Sequence, residues 1–315
     1  DNTFEHYVAY KKGVENTREP YFKQIVGAEK MLCYESPLEL LNIIKEKKPF
    51  ILHRYSAGIP EFPFVKEIKE HTRHFVSTAV FGNQDNTIDI SKVIYVSKHI
   101  QWLAGTQATK NHHVVRNPIE GPYSTENLRE ELGIPEDAFV FGRIGRDDES
   151  IYENINIRAY AEVERDNVYF VLVAPSDKCR DDIKRLGIKN AKFIERTTSE
   201  VRISQFYNTI DVQAHARRDG ECNSAAHFEG FAHRVPLISH YGENFNGHME
   251  TTGDAGFIVL PNDVEEYARI MKAFIDKEID YETLSNNAYL QWCKVTPELM
   301  GNAQLDIYKE LLKTT

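Results

Sequence analysis

The sequence has little cysteine: its four residues, Cys33, Cys179, Cys222 and Cys293, are scattered and form no CxxC pair. That argues against a disulfide framework or a structural zinc and fits a reducing cytoplasm. Positive charge is scarce as well. Lysine and arginine number 38 against 48 acidic residues, a formal net charge of −10. Nucleic-acid binding calls for a basic face, so that class of partner is set aside; a small phosphate-bearing ligand needs only one local positive site. No run approaches the ~18 apolar residues of a membrane span, and no cationic stretch leads into an apolar one as in a secretory signal. Repeats of solenoid period are missing. An initiator methionine is missing too: the chain opens DNTFEHYVAYKKG, and its first apolar run, Phe4 to Tyr10, already reads as a strand.

What is present is ample for two domains, at 315 residues and a prior of ~100–200 residues per domain. Short apolar runs alternate with amphipathic stretches nearly throughout. Strands are expected at Phe50–His53, Phe75–Phe81, Val93–Val96, Val114–Arg116, Phe139–Ile144, Val168–Ala174, Ala191–Ile194, Ile210–Ala214, Val235–Ser239 and Gly256–Leu260. Helices are expected among others at Leu38–Ile44, Glu126–Leu132, Ile155–Val163, Glu200–Tyr207 and Val264–Phe274. Continuous apolar strands alternating with helices imply parallel sheets covered on both faces, an α/β fold. A break near 117–139, rich in proline and glycine, divides the chain, with Ser124 or Thr125 as the expected cap of the helix there. The reading is a Rossmann-like domain over 1–117, a second over 118–280, and wholly helical residues over 281–315. In such sheets ligands bind outside the carboxyl ends of the strands.

Two segments at strand ends carry candidate chemistry. In FGRIGRDDES (141–150), Gly142 and Gly145 permit close backbone approach, and Arg143 and Arg146 are fixed charges suited to phosphate oxygens. The competing reading is a plain turn whose arginines pair with Asp147, Asp148 and Glu149. In DVQAHARRDGECNSAAHFEGFAHRVPLIS (211–239), a strand gives way to a turn holding Gly220 and Glu221, then to a helix from about Ser224 that carries Glu229. Asn223 or Ser224 is placed to cap it. Seven residues separate the glutamates, so one stands before the helix mouth and the other about two turns in. Carboxylates accept paired sugar hydroxyls; spacing alone leaves them equally readable as solvated acids.

Taken in order, the GRxGR strand end, the β/α units that follow and the stretch G-E-x(7)-E-G-F-A-x(2)-V-P-L-I-S resemble the donor domain of the family 4 retaining glycosyltransferases of the GT-B fold. Pro236 stands for the family's proline, GDAGFIVLPNDVEEYARIM (253–271) is similar to the segment after its motif, and VIYVSKHI (93–100) with VVRNPIEGP (114–122) to its connection between domains. The resemblance spans about residues 90–313. It implies two Rossmann-like domains whose parallel sheets face across a cleft, and final helices that cross back to the first domain. It implies transfer of a sugar from a nucleotide-diphosphate sugar, as substrate rather than cofactor, to a hydroxyl acceptor such as a glycan, a lipid-linked sugar or a small molecule. Glu221 would meet the donor sugar, Glu229 the ribose and Arg143 the diphosphate. The backbone amides of Ser224 and Ala225 would reach the same phosphates, and Glu195 and Arg196 would lie near the base. No metal is called for, since arginines and a helix N-terminus can stabilise the leaving diphosphate.

The sequence departs from the family in four places. Asp147, Asp148 and Glu149 stand where a lysine is usual, leaving Arg146 to supply that charge. Asn223-Ser224 replaces Phe-Gly between the glutamates. Val80 and Phe81 stand where many relatives carry a histidine. The family's first strand, Gly-rich turn and helix do not precede HYVAY in this sequence. These departures keep two alternatives open: a non-catalytic nucleotide-sugar- or partner-binding homologue, and a GT-B sugar-nucleotide epimerase. His53 and Tyr55, at a strand end in FILHRYSAG, are candidates for the acceptor side. His215, His227, His233 and His240 have no metal-ligand spacing, and Cys222 has no partnered base, so both sets read as inert. Peripheral membrane contact has no support in the sequence.

Overall fold

Val8–Lys11 (β1) runs parallel to Met31–Tyr34 (β2) as a separate two-stranded sheet. The computed structural model describes residues 3–13, 19–56, 65–83, 89–105 and 111–313. Between the two strands lies Glu19–Val26 (α1), none of whose residues is buried. Pro37–Lys47 (α2) follows, started by Ser36, whose hydroxyl accepts from the Glu39 amide, and by a proline in the first turn. A four-stranded sheet in the order β3-β4-β5-β6 comes next, from Ile51–Ser56 (β3), His74–Ala79 (β4), Lys92–Tyr95 (β5) and His112–Val114 (β6). Val65–His71 (α3) and Lys98–Leu103 (α4) connect its strands. Leu40, Leu41 and Ile44 of α2 pack with Ile68 and Phe75 into a small core. The described residues within Asp1–Ile94, Thr106–His113 and Ile307–Thr315 form one compact unit, and those within Tyr95–Gly105 and Val114–Asp306 form another.

The second unit is built on six parallel strands. After Arg129–Leu132 (α5) come Phe139–Ile144 (β7), Ile155–Val163 (α6), Val168–Val173 (β8), Asp177–Arg185 (α7), Ala191–Ile194 (β9), Glu200–Thr209 (α8) and Val212–Ala214 (β10). A two-residue strand, Gly220–Glu221 (β11), precedes Ala225–Ala232 (α9), Leu237–His240 (β12), Phe245–Asn246 (β13), His248–Thr252 (α10), Gly256–Val259 (β14) and Val264–Ile275 (α11). Tyr281–Trp292 (α12) and Pro297–Leu312 (α13) close the chain. The main sheet runs β14-β12-β10-β7-β8-β9, and β11 pairs with β13 apart from it.

Both faces of this sheet are covered, which is why its strands are mainly apolar without strict alternation, with Arg143, Lys192 and Gln213 among the exceptions. On one face Phe141, Phe170, Leu172 and Val212 meet Tyr160 of α6 and Tyr267, Met271 and Phe274 of α11. On the other, Val140, Val171 and Val173 meet Phe206 and Tyr207 of α8. Each such side chain is worth ~1.5–3 kcal/mol of burial. Two glycines set how closely layers approach. A Cβ on Gly142 would lie 2.5 Å from Ile210, and one on Gly230 of α9 would lie 2.3 Å from the Gln213 side chain on β10.

Several sequence expectations need correcting. Met31–Tyr34 is a strand that the apolar pattern did not reveal. The helix expected over Glu126–Leu132 shrinks to Arg129–Leu132, with Leu128 rather than Ser124 or Thr125 at its cap. The backbone there is engaged otherwise: Asn208 of α8 donates to the carbonyls of Ser124 and Glu126, and the Leu128 amide donates to Thr209. The strand expected from Val235 begins at Leu237, because the Val235 amide turns back to the Gly230 carbonyl to end α9. The strand expected at Val114–Arg116 lies at His112–Val114.

Candidate functional site at the switch point of the six-stranded sheet

Read from the β9 edge, the sheet orders its strands 3-2-1-4-5-6 by sequence, so the chain changes direction between β7 and β10. Outside the carboxyl ends of those two strands the connecting segments part and leave a crevice. Arg143, near the end of β7, and His215, just past β10, line a small pocket there with Gln213, Tyr207, Ala226 and His227. The first turn of α9 therefore opens on the same pocket as Arg143.

Arg143 is 6% exposed. Among the described residues its guanidinium makes one hydrogen bond, Nε to the Ala216 carbonyl at 3.5 Å, and no salt bridge. Burial pushes its pKa down, an effect that nearby Glu221 offsets in part. Gly145 is where the arginine needs it: a Cβ there would stand 3.1 Å from Nη2. Arg146 is exposed, as are Asp147, Asp148 and Glu149. Asp148 caps the short turn Glu149–Ile151 through the Ser150 amide, so the acidic run is occupied locally rather than paired with Arg143.

Glu221 sits in β11, on a loop fastened to the segment 242–247 by backbone contacts. Gly220 takes φ +77° and faces the Phe245 carbonyl so closely that a Cβ would fall 1.8 Å from it. The Gly247 amide donates to the Glu221 carbonyl at 2.8 Å, and the Phe245 amide to that of Asp219 at 2.8 Å. The Glu221 carboxylate accepts from His215 Nε2 at 3.3 Å and lies 3.6 Å from Arg217 Nη1. That arginine is chiefly held by Asp219, at 2.6 and 2.9 Å. Glu229, within α9, takes a 3.3 Å contact from the Tyr207 hydroxyl, which also donates to the Ala226 carbonyl at 2.6 Å.

At the mouth of α9, Ser224 holds the cap position but its side chain makes no capping bond, contrary to the expectation for Asn223 or Ser224. Asn223 has its amide atoms buried with no hydrogen-bond partner among the described residues. Ala225 is exposed. Glu195 and Arg196 follow β9, the edge strand two places from β7; both are exposed, and Glu195 pairs with Arg180 at 3.1 Å. In the other unit, His53 on β3 has both ring nitrogens engaged, by Thr78 at 2.8 Å and Tyr308 at 2.5 Å, and stacks on the exposed Tyr55. Burial pulls its pKa down to about 4.

Sequence reading passed over the histidines. His215 and His227 meet edge to face at 4.3 Å, and His248 of α10 stands 6.1 Å from His227. All three are buried and held neutral: burial drives His215 and His227 well below the usual range and His248 to about 4. Neither ring nitrogen of His227 has a hydrogen-bond partner among the described residues. The signal available was position, since His215 directly follows a strand at the point where ligands bind. Among the described residues no group of three or more His, Cys, Asp or Glu is arranged to hold a metal ion. The Cys222 thiol, buried beside Glu221, is pushed up to about 12. No helix among the described residues is long and apolar enough to cross a membrane.

Comparison with known proteins follows this geometry. The sequence profile of the family described as "Glycosyl transferases group 1" matches residues 124–291, just over half of the chain and all within the second unit. No curated protein matches. Among solved structures, a glycosyltransferase from Rickettsia africae is 19% identical, with a TM-score of 0.79 over 98% of this chain and 91% of that one. Anabaena HepE, solved with UDP and glucose, is 17% identical, with a TM-score of 0.69 over 94% and 89%. The lipopolysaccharide outer core galactosyltransferase WaaB is 14% identical, with a TM-score of 0.64 over 90% and 84%. At these identities the likeness carries the fold, two Rossmann-like α/β domains of the GT-B architecture.

Proposed function

This chain belongs to the group 1 glycosyl transferases, and we propose that its switch-point pocket holds the diphosphate of the sugar donor on Arg143. The enzyme moves a sugar from a nucleotide-sugar donor to an acceptor. One observation carries the assignment: Arg143 is a buried cation whose sole hydrogen bond among the described residues is to a carbonyl and which no carboxylate among them pairs. A buried charge in that state is costly unless an anion completes it. A diphosphate supplies the anion, and the N-terminus of α9 adds partial positive charge from the same side.

The residue roles follow. Arg143 and the amides of Ser224 and Ala225 stabilise charge on the departing diphosphate. Arg146, exposed on the adjoining turn, supplies a second cation. Glu221 accepts hydroxyls of the donor sugar, assisted by the close turn at Gly220, and Glu229 those of the ribose. Asn223 has unpaired amide atoms to offer beside them, and Glu195 and Arg196 flank the base. The donor domain is residues 118–280, while His53 and Tyr55 of 1–117 serve the acceptor side. The Cys222 thiol is held protonated and does not serve as a nucleophile. That supports attack on the face from which the diphosphate leaves, with retention at the anomeric carbon. Four unpaired cysteines support a reducing compartment, the cytoplasm.

Anabaena HepE was solved with UDP-glucose, so UDP-glucose is the first donor to test, followed by GDP- and ADP-sugars. A ligand at 100 times its Kd stabilises the native state by ~2.7 kcal/mol. The expected result is a thermal shift with one nucleotide series, slow donor hydrolysis, and an α-linked product from an α-linked donor by NMR. No shift with any nucleotide diphosphate sinks the Arg143 assignment.

A further inference from the structure

Glu221 does not orient itself. Among the described residues its carboxylate receives one hydrogen bond, from His215 Nε2 at 3.3 Å, because Arg217 is claimed by Asp219. On the far side of the ring, His215 Nδ1 lies 2.9 Å from the Ser239 hydroxyl at the core of β12. A carboxylate only accepts, so the neutral imidazole must carry its proton on Nε2. Nδ1 is then an acceptor, and the Ser239 hydroxyl donates to it. We propose that Ser239 and His215 form a positioning relay which fixes the Glu221 carboxylate for the hydroxyls of the donor sugar.

The surroundings keep the ring in that form. His248 from α10, His240 from β12, His227 from α9, Arg143 from β7 and Arg217 from the loop all face it, and Glu221 is the facing acid. His240 is itself committed, accepting from the Arg217 amide at 3.1 Å and donating to the Tyr241 carbonyl at 2.8 Å. Ser239 is fully buried and sits in the register that pairs β12 with β14, so the relay starts from a fixed point of the sheet. His215 also lines the pocket beside Arg143, whereas Ser239 does not, so Ser239 reaches the donor through the ring.

This inference rests on the donor-site reading above and predicts a selective defect. His215→Phe should weaken the nucleotide sugar about tenfold and free nucleoside diphosphate by much less, because the Arg143 guanidinium is kept although the ring lines its pocket. His215→Gln keeps an N–H at the reach of Nε2 and should restore most of the loss. His215→Asn, whose amide reaches only the Nδ1 side, should not. Ser239→Ala should show a smaller defect of the same kind, and serves if His215→Phe does not fold. The readouts are titration calorimetry with UDP and UDP-glucose, and donor KM against kcat. Equal loss of UDP and UDP-glucose in the variants, or no difference between Gln and Asn, overturns the relay. Wild-type protein that binds no member of the UDP, GDP or ADP series overturns instead the donor-site reading.

Discussion

Replacing Arg143 with methionine should make the protein more stable and a worse enzyme, and the two effects can be sized separately. In the folded chain the guanidinium is 6% exposed, with one 3.5 Å hydrogen bond to Ala216 and no salt bridge among the described residues. Exchanging a buried, poorly compensated charge for an apolar side chain of similar length is typically neutral or stabilising, by up to ~4 kcal/mol. With a domain of this size ~1 kcal/mol moves Tm by ~2–4 °C, so a rise of several degrees is expected. Binding moves the other way. A diphosphate oxygen held by a guanidinium gains ~1.5–3 kcal/mol per charge-assisted hydrogen bond. Losing one such bond should cost ~10- to 100-fold in affinity for a nucleoside diphosphate, at ~1.4 kcal/mol per decade. Differential scanning calorimetry and titration calorimetry on the same preparations read both quantities. A methionine variant that melts lower than wild type yet binds the diphosphate equally well would refute the reasoning, because Arg143 would then be a structural residue satisfied within the protein.

Three further outcomes follow from the structure. His53 and His248 have folded pKa values of about 4 against 6.5 unfolded, so the unfolded chain takes up their protons first. Stability is therefore whole above pH 6.5 and falls as pH drops from 6.5 toward 4, by roughly 2 kcal/mol per group at pH 5; thermal melts at pH 7 and pH 5 that coincide would contradict this. Gly220→Ala places a Cβ 1.8 Å from the Phe245 carbonyl at φ +77°. It should cost at least ~3 kcal/mol and disturb Glu221, whereas Gly133→Ala, at φ +62° with open space around it, should cost only ~1–2 kcal/mol for the left-handed backbone; chemical denaturation compares the two. Cys222→Ala should leave the transfer rate within about twofold, since a thiol held up to about 12 takes no part as a nucleophile; a hundredfold loss in a steady-state assay would restore a covalent role.

Much of this was legible in the residues themselves. Strands such as Phe139–Ile144 and Val168–Val173 declare themselves because a sheet covered on both faces favours runs of mainly apolar residues, a local property. The glutamates at 221 and 229 were legible for a similar reason: both belong to one loop-and-helix segment, so their spacing in sequence is close to their spacing in space. Met31–Tyr34 was harder, being short, half exposed and paired only with β1. The cap at Leu128 could not be foreseen, because it depends on Asn208 and Thr209, some eighty residues away, taking the local hydrogen bonds first.

The sequence by itself determined the α/β class, the order of the strands along the chain and the segment that supplies Glu221 and Glu229. It also held Arg143 at a strand end, since periodicity and turn chemistry are written in neighbouring residues. Tertiary structure alone decided that Arg143 stands buried without a carboxylate partner among the described residues, while Asp148 bonds to Ser150. It also decided that His215, His227 and His248, drawn from three elements, close around Glu221. Those are outcomes of strand order: β7 and β10 lie side by side although about seventy residues separate them, and which charges meet and which stay unpaired is settled only when the sheet is assembled.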